Sequence, residues 1–275
     1  METSAERPFD LVVVDEAQDV SVPQLRFLAA LAANKPDGLF FAGDLGQRIF
    51  QTPFSWKSLG VDVRGRSSTL RVNYRTSHQI RRQADRLLEP EMADVDGIVE
   101  SRRGTVSAFN GTDPRVIVVA SIAEEAATIS DWLTTRISEG VLPGEIGVFV
   151  RSRAQVERAR GAVARAGVAI TTPQPGVDAE PGRVVLMPMH LAKGVEFRAV
   201  VVAACDDDVL PLQSRIESVT DESDLADVYN TERQLLYVAC TRARDHLLIT
   251  AVAPGSEFLA DLSNSPPMPT AVGTM

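Results

Sequence analysis

Phe9-Asp10-Leu11-Val12-Val13-Val14-Asp15-Glu16, at residues 9–16, is an apolar run rich in β-branched residues that ends on two acids. The same unit recurs along the chain. Leu39–Ala42 runs into Gly43-Asp44, and Arg115–Ala120, Glu145–Val150, Val184–Met187, Ala199–Ala204 and His246–Ala251 have the same character. Runs that are continuously apolar, not alternating, mark strands covered on both faces. Between them the period changes to that of a helix. Ile122, Ala126, Ile129, Leu133 and Ile137 share one face, closed by Gly140. Ser152 with Gln155 forms a capping box ahead of Val156, Ala159 and Val163, and Ser77 is expected to cap a helix carrying Ile80, Ala84 and Leu87. Strand–helix alternation predicts an α/β fold with a parallel sheet.

Composition narrows the class. The 275 residues are 44% hydrophobic and 24% charged, which is the balance of a folded globular chain. No apolar run reaches the roughly 18 residues of a spanning helix, and Met1–Pro8 lacks an apolar signal region. Cys205 and Cys240 sit in apolar surroundings without ligand spacing and read as buried thiols. A cytoplasmic protein with no membrane partner is the expectation. The net charge of −9 does not suggest a nucleic-acid binder, although a single-strand channel needs only a lined track and stacking platforms. Asp94–Gly111 is polar and linker-like, Asp206–Asp227 is acidic and reads as a loop or a short exposed helix, and the Pro-rich tail of residues 263–275 reads as disordered.

Several strand ends carry chemistry. In a parallel sheet, ligands sit at the carboxyl ends of strands, where Asp15-Glu16 falls. One acid could hold Mg²⁺ and the other could act on a water, although a solvated turn is the plainer reading of an Asp-Glu pair. Gly43-Asp44-Leu45-Gly46-Gln47 ends the next strand, and the Gln47 amide could bond a phosphate oxygen. Phe50, Phe54 and Trp56 follow, as core packing or as stacking platforms for bases. Asn73-Tyr74-Arg75 precedes a helix start. Lys193, within Leu191–Phe197, reads as a solvated lysine, and His190 before it as a loop histidine. Gln234–Arg244 reads as a helix whose Arg242 and Arg244 favour its dipole, or as the source of a phosphate-stabilising arginine.

Taken in order, Asp-Glu-x-Gln-Asp, Gly-Asp-x-x-Gln, Asn-Tyr-Arg, Ala-Lys-Gly-x-Glu-Phe and Tyr-Val-x-x-Thr-Arg-Ala resemble motifs II to VI of superfamily 1 DNA helicases of the UvrD/Rep type, over about Phe9 to Ala253. The resemblance implies RecA-like parallel sheets flanked by helices. Residues 1–90 would be the C-terminal part of a first lobe, and residues 91–262 a nearly complete second lobe. It implies ATP and Mg²⁺ as cofactors, single-stranded DNA as partner and a 3′ to 5′ motor. On this resemblance Asp15 holds Mg²⁺, Glu16 is the general base, and Gln47 senses the γ-phosphate. Tyr74 stacks on adenine, Arg75 and Arg242 neutralise the transferred phosphoryl group, and Glu196 meets the ribose with Gly194 allowing close backbone approach. His190, Phe54 and Trp56 would touch DNA. The chain departs from the family in three places. It holds no Gly-x-x-x-x-Gly-Lys-Ser/Thr, the aromatic segment after Gln47 is long, and the stretch from Thr172 to Val184 is short. The expectation is a helicase fragment that needs a P-loop-bearing segment or subunit and hydrolyses negligible ATP alone. The alternative is a non-catalytic module that binds DNA or a protein.

Overall fold

The computed structural model describes residues 9–32, 37–49, 54–97, 99–102, 104–173 and 182–263. Phe50, residues 174–181 of the short stretch, and the tail from residue 264 lie outside them. In chain order the strands are β1 (Val12–Val14), β2 (Leu39–Phe41), β3 (Val72–Asn73), β4 (Glu91–Ala93), β5 (Val99–Ser101), β6 (Val106–Ser107), β7 (Arg115–Val119), β8 (Ile146–Val150), β9 (Ile170–Thr171), β10 (Val184–Pro188), β11 (Phe197–Ala203) and β12 (Ala243–Val252). The α-helices are α1 (Val22–Ala32), α2 (His78–Ala84), α3 (Ile122–Ser138), α4 (Val156–Arg165), α5 (Gln213–Ile216), α6 (Glu222–Thr241) and α7 (Phe258–Leu262).

Six strands form one parallel sheet in the order β7-β12-β11-β8-β10-β9. The strands β8, β10 and most of β11 are buried on both faces, as their unbroken apolar runs predict. Successive residues alternate between two cores. Ile146, Val148, Val150, Leu186 and Val201 join α3 and α4 residues such as Leu133 and Val163 on one side. Phe149, Met187, Val200, Val202 and Ile249 join Leu236 and Val238 of α6, Phe258 of α7, and Ile80 and Ala84 of α2 on the other. Each fully buried aliphatic side chain stabilises the fold by about 1.5–3 kcal/mol relative to exposure, so truncating one, such as Leu186→Ala, is expected to cost about 2–5 kcal/mol.

The N-terminal unit is smaller. Strands β1 and β2 pair in parallel, with Val13 opposite Phe40. Helix α1 covers one face through Leu25, against Val14, Leu39 and Phe41. The other face is open: Phe9, Leu11, Val13 and Phe40 are all exposed. Covering on both faces, expected for Phe9–Val14, therefore holds for the large sheet and not here, and the strand itself is confined to Val12–Val14.

Other expectations are corrected. The helix expected over Gln234–Arg244 is α6, which starts twelve residues earlier, inside the acidic stretch read as a loop or a short exposed helix; that stretch also holds the short α5. Asp221 caps α6 by accepting from the Asp224 amide. Arg242 lies just past its end and Arg244 is in β12, so neither sits in the last helical turn. The polar linker Asp94–Gly111 contains β5 and β6, which pair with β4 and β3. Ser77 occupies the N-cap position of α2, but its side chain makes no capping bond.

Candidate nucleotide site

The carboxyl ends of β1 and β2 lie side by side, because Val12–Val14 pairs in register with Leu39–Phe41. Asp15-Glu16 and Gly43-Asp44 therefore emerge together. Glu16 has a left-handed backbone (φ 52°), which costs a non-glycine residue on the order of 1 kcal/mol and tends to persist at functional sites. Asp15 Oδ1 accepts from the Glu16 amide at 2.8 Å. Glu16 Oε2 accepts from Gln18 Nε2 at 2.6 Å, and Gln18 Oε1 in turn accepts from the Asp44 amide at 3.1 Å. Asp44 Oδ2 accepts from Gln47 Nε2 at 2.9 Å.

From the large sheet, α6 brings Arg242 to this place. The side chain is 1% exposed. Nε donates to the Val238 carbonyl at 3.1 Å and Nη2 to Gln47 Oε1 at 3.0 Å. Nη1 is buried with no hydrogen-bond partner among the described residues. Burial, and then the nearby positive charge of Arg75, pull the Arg242 pKa down, and Glu16 and Asp44 partly offset them. Arg75 is held near by its own segment. Asn73 Oδ1 accepts from the amides of Arg75 and Thr76, and Thr76 Oγ1 donates to the Thr241 carbonyl at 3.3 Å.

The structure thus brings Glu16, Gln47, Arg75 and Arg242 together from four separate stretches. Arg75 Nε also pairs with Glu196 Oε2 at 2.8 Å, which adds the Ala-Lys-Gly-x-Glu-Phe segment. Tyr74 beside it is 76% exposed, an open ring face at the rim. Gly194 is required for its backbone (φ 80°); a Cβ there would meet nothing within 4 Å, so the close approach expected of it is not made within the protein itself.

The expected DNA residues lie elsewhere. Phe54 and Trp56 pack against the small N-terminal core, and Trp56 meets Phe41 edge-on at 4.7 Å. His190 lies in a short turn after β10, where burial and then Arg151 and Arg153 lower its pKa. No described hydrogen bond or ion pair joins these three to the Gln47–Arg242 cluster.

Two participants were not foreseen. Lys193, read as solvated, is largely buried and pairs with Asp19 at 2.5 Å and Glu16 at 3.2 Å. Arg102 bridges Asp44 at 2.6 Å and the Tyr237 hydroxyl at 2.7 Å. Lys193 lies inside a quoted motif, so its position was a usable signal; Arg102 had none. Among the described residues, no group of three or more His, Cys, Asp or Glu is placed to hold a metal ion. A Mg²⁺ shared with nucleotide phosphates needs only one or two carboxylates, and Asp15, exposed at the mouth, fits that role. The two cysteines are free and buried; burial pushes the Cys240 thiol up to about 12. No helix among the described residues is long and apolar enough to cross a membrane.

The chain is similar to known proteins in two stretches. Residues 168–253 match the UvrD-like helicase C-terminal domain, and residues 2–55 match the UvrD/REP helicase N-terminal domain. A "Probable DNA helicase" of Mycoplasma pneumoniae is 24% identical over 88% of this chain and 43% of its own length. The ATP-dependent DNA helicase UvrD2 of Mycobacterium tuberculosis is 28% identical over 57% of this chain and 23% of its own length. The chain therefore spans less than half the length of these relatives. A crystal structure of the C-terminal domain of a possible DNA helicase from Lactobacillus plantarum aligns with 70% of this chain and 94% of its own, at 27% identity and a TM-score of 0.48.

Proposed function

Because this chain is a relative of the UvrD-like DNA helicases, we propose that it forms most of the ATP cleft of a motor that moves 3′ to 5′ along single-stranded DNA. The observation that carries this reading is the hydrogen bond between Gln47 and Arg242, with the second Arg242 nitrogen buried and unpartnered beside it. A buried guanidinium nitrogen lacking an acceptor is a ready partner for a phosphate oxygen.

In this reading residues 1–90 contribute to a first RecA-like lobe and 91–262 to a second. Helix α2, although within residues 1–90, goes with the second lobe in this reading, since Ile80 and Ala84 pack in that lobe's core. Glu16 takes the proton from the attacking water, and Lys193 and Gln18 aim its carboxylate. Arg75 and Arg242 neutralise charge developing on the transferred phosphoryl group, for which Arg75 exchanges its pairing with Glu196 for phosphate. Asp15 would hold Mg²⁺, which supplies charge neutralisation on the phosphates. Tyr74 stacks on the base, Glu196 and Gly194 face the ribose, and Phe54, Trp56 and His190 face the DNA strand.

The 275 residues contain no Gly-x-x-x-x-Gly-Lys-Ser/Thr, so the phosphate cradle comes from a segment outside them. The exposed Val13–Phe40 face supports this, because parallel strands normally bury both faces. Binding of Mg–ATP and of single-stranded DNA, to the chain alone and with a P-loop-bearing segment supplied, tests the reading. The expectation is DNA binding by the chain alone, with negligible hydrolysis until the segment is added. Strong DNA-stimulated hydrolysis by the chain alone, abolished by Glu16→Gln, would overturn the supplied cradle. Absence of nucleotide binding under both conditions would overturn the motor and leave a non-catalytic binding module.

A further inference from the structure

Arg102 follows β5, far in sequence from every residue assigned above, yet its guanidinium reaches both the N-terminal unit and α6. Nη2 donates to Asp44 Oδ1 at 2.6 Å and Nη1 to the Tyr237 hydroxyl at 2.7 Å, with the guanidinium 4.9 Å from the centre of the Tyr237 ring. Asp85 lies 3.6 Å away and adds a second carboxylate. The space is cut to this side chain: a Cβ on Gly46 would come within 1.9 Å of Arg102 Nη2.

We propose that Arg102 is a positioning residue for Gln47 and Arg242, closing a ring of hydrogen bonds that joins the N-terminal unit to α6. The ring can be followed atom by atom. Arg102 holds Asp44 Oδ1, which also accepts from the Gly46 amide at 2.8 Å. Asp44 Oδ2 then accepts from Gln47 Nε2, and this fixes which way the amide faces, leaving Oε1 for Arg242 Nη2. Arg242 Nε is tied to the Val238 carbonyl on α6, and the residue before it, Tyr237, returns to Arg102. Without the cation, only the Gly46 amide restrains the Asp44 plane from outside the Gln47 contact, and Gln47 can flip its amide and present a donor where Arg242 needs an acceptor. The forked donor is essential, because one ammonium cannot hold the carboxylate and the phenol in this geometry. Tyr237 is suited to the role: burial, then the charge of Asp44, raise its pKa and keep the hydroxyl neutral.

The inference rests on the reading of Gln47 as the nucleotide sensor, but its test does not require nucleotide. Hydrogen exchange of the Gln47 side-chain amide, read by NMR in the nucleotide-free chain, is compared among wild type, Arg102→Gln, Arg102→Lys and Tyr237→Phe. The expected result is exchange faster by roughly tenfold in both Arg102 variants, the effect of one lost hydrogen bond, and a smaller acceleration in Tyr237→Phe. Arg102→Lys keeps the charge and safeguards folding, so a loosened Gln47 in that variant reports the lost fork and not a lost fold. Wild-type protection of Gln47 in both Arg102 variants would overturn the proposal. Failure of nucleotide to bind would speak against the motor reading alone.

Discussion

Gln47 and Arg242 are 195 residues apart in sequence and 3.0 Å apart in space, one at the end of the small parallel sheet and the other just past α6. That contact turns two weak sequence signals into one site. It also sets what should happen when the residues around it are changed.

Lys193 lies against Asp19 and Glu16, and Asp19 Oδ1 is buried without a hydrogen-bond partner. Lys193→Ala leaves that acid uncompensated and is expected to destabilise the protein by about 1–2 kcal/mol, less than a fully buried pair because Glu16 is half exposed. Adding Asp19→Asn should recover part of the loss. Urea midpoints of the single and double variants check this; additive losses would show that the pair is not coupled.

Glu232 on α6 is fully buried and binds Arg151 through two bonds of 2.5 Å and Arg215 through one of 2.9 Å. It anchors α6 to the end of β8 and so indirectly aims Arg242. Glu232→Ala strands a buried Arg151 and should cost about 3–5 kcal/mol in denaturant unfolding. A loss under about 1 kcal/mol would mean that α6 is held by its apolar face alone.

His190 and His246 both have pKa values lowered from 6.5, each by burial first and then by arginines, Arg151 and Arg153 for His190 and Arg136 for His246. A histidine whose folded pKa is lowered binds protons more readily when unfolded. Its contribution to stability is therefore complete above pH 6.5 and is lost as pH falls through the folded values. Wild type should lose more stability between pH 7.5 and pH 5 than the His190→Gln, His246→Gln double variant does, as read from melting temperatures. Equal losses would contradict the assignment.

Tyr74 is mostly exposed, so Tyr74→Ala should change stability by less than about 0.5 kcal/mol. Nucleotide affinity, measured once the P-loop segment is present, should fall by roughly tenfold, as expected for losing an aromatic stack. Unchanged affinity would remove Tyr74 from the site.

The large sheet was legible because its strands are covered on both faces, which forces unbroken apolar runs such as Ala199–Ala204. The start of α6 was not, because Glu222, Ser223 and Asp224 are polar whether they begin a helix or fill a loop; only the Asp221 cap separates the two. Motif order identified Glu16, Gln47, Arg75 and Arg242, whose proximity a sequence cannot show. Arg102 lies in no motif, and the motif that holds Lys193 does not reveal what the lysine pairs with. Their partners lie 58 and 174 residues away, and charge complementarity over such separations leaves no periodic trace.

The central claim is that Glu16 and Arg242 act on one triphosphate. ATP turnover by the chain supplied with a P-loop segment and single-stranded DNA, measured for Glu16→Gln, Arg242→Lys and the double variant, tests it most directly. Residues that serve one transition state lose far less together than the product of their separate losses. The account predicts single losses of roughly 100-fold or more and a double variant little slower than the slower single. Full multiplicative losses in the double variant, or turnover indifferent to either substitution, would contradict it.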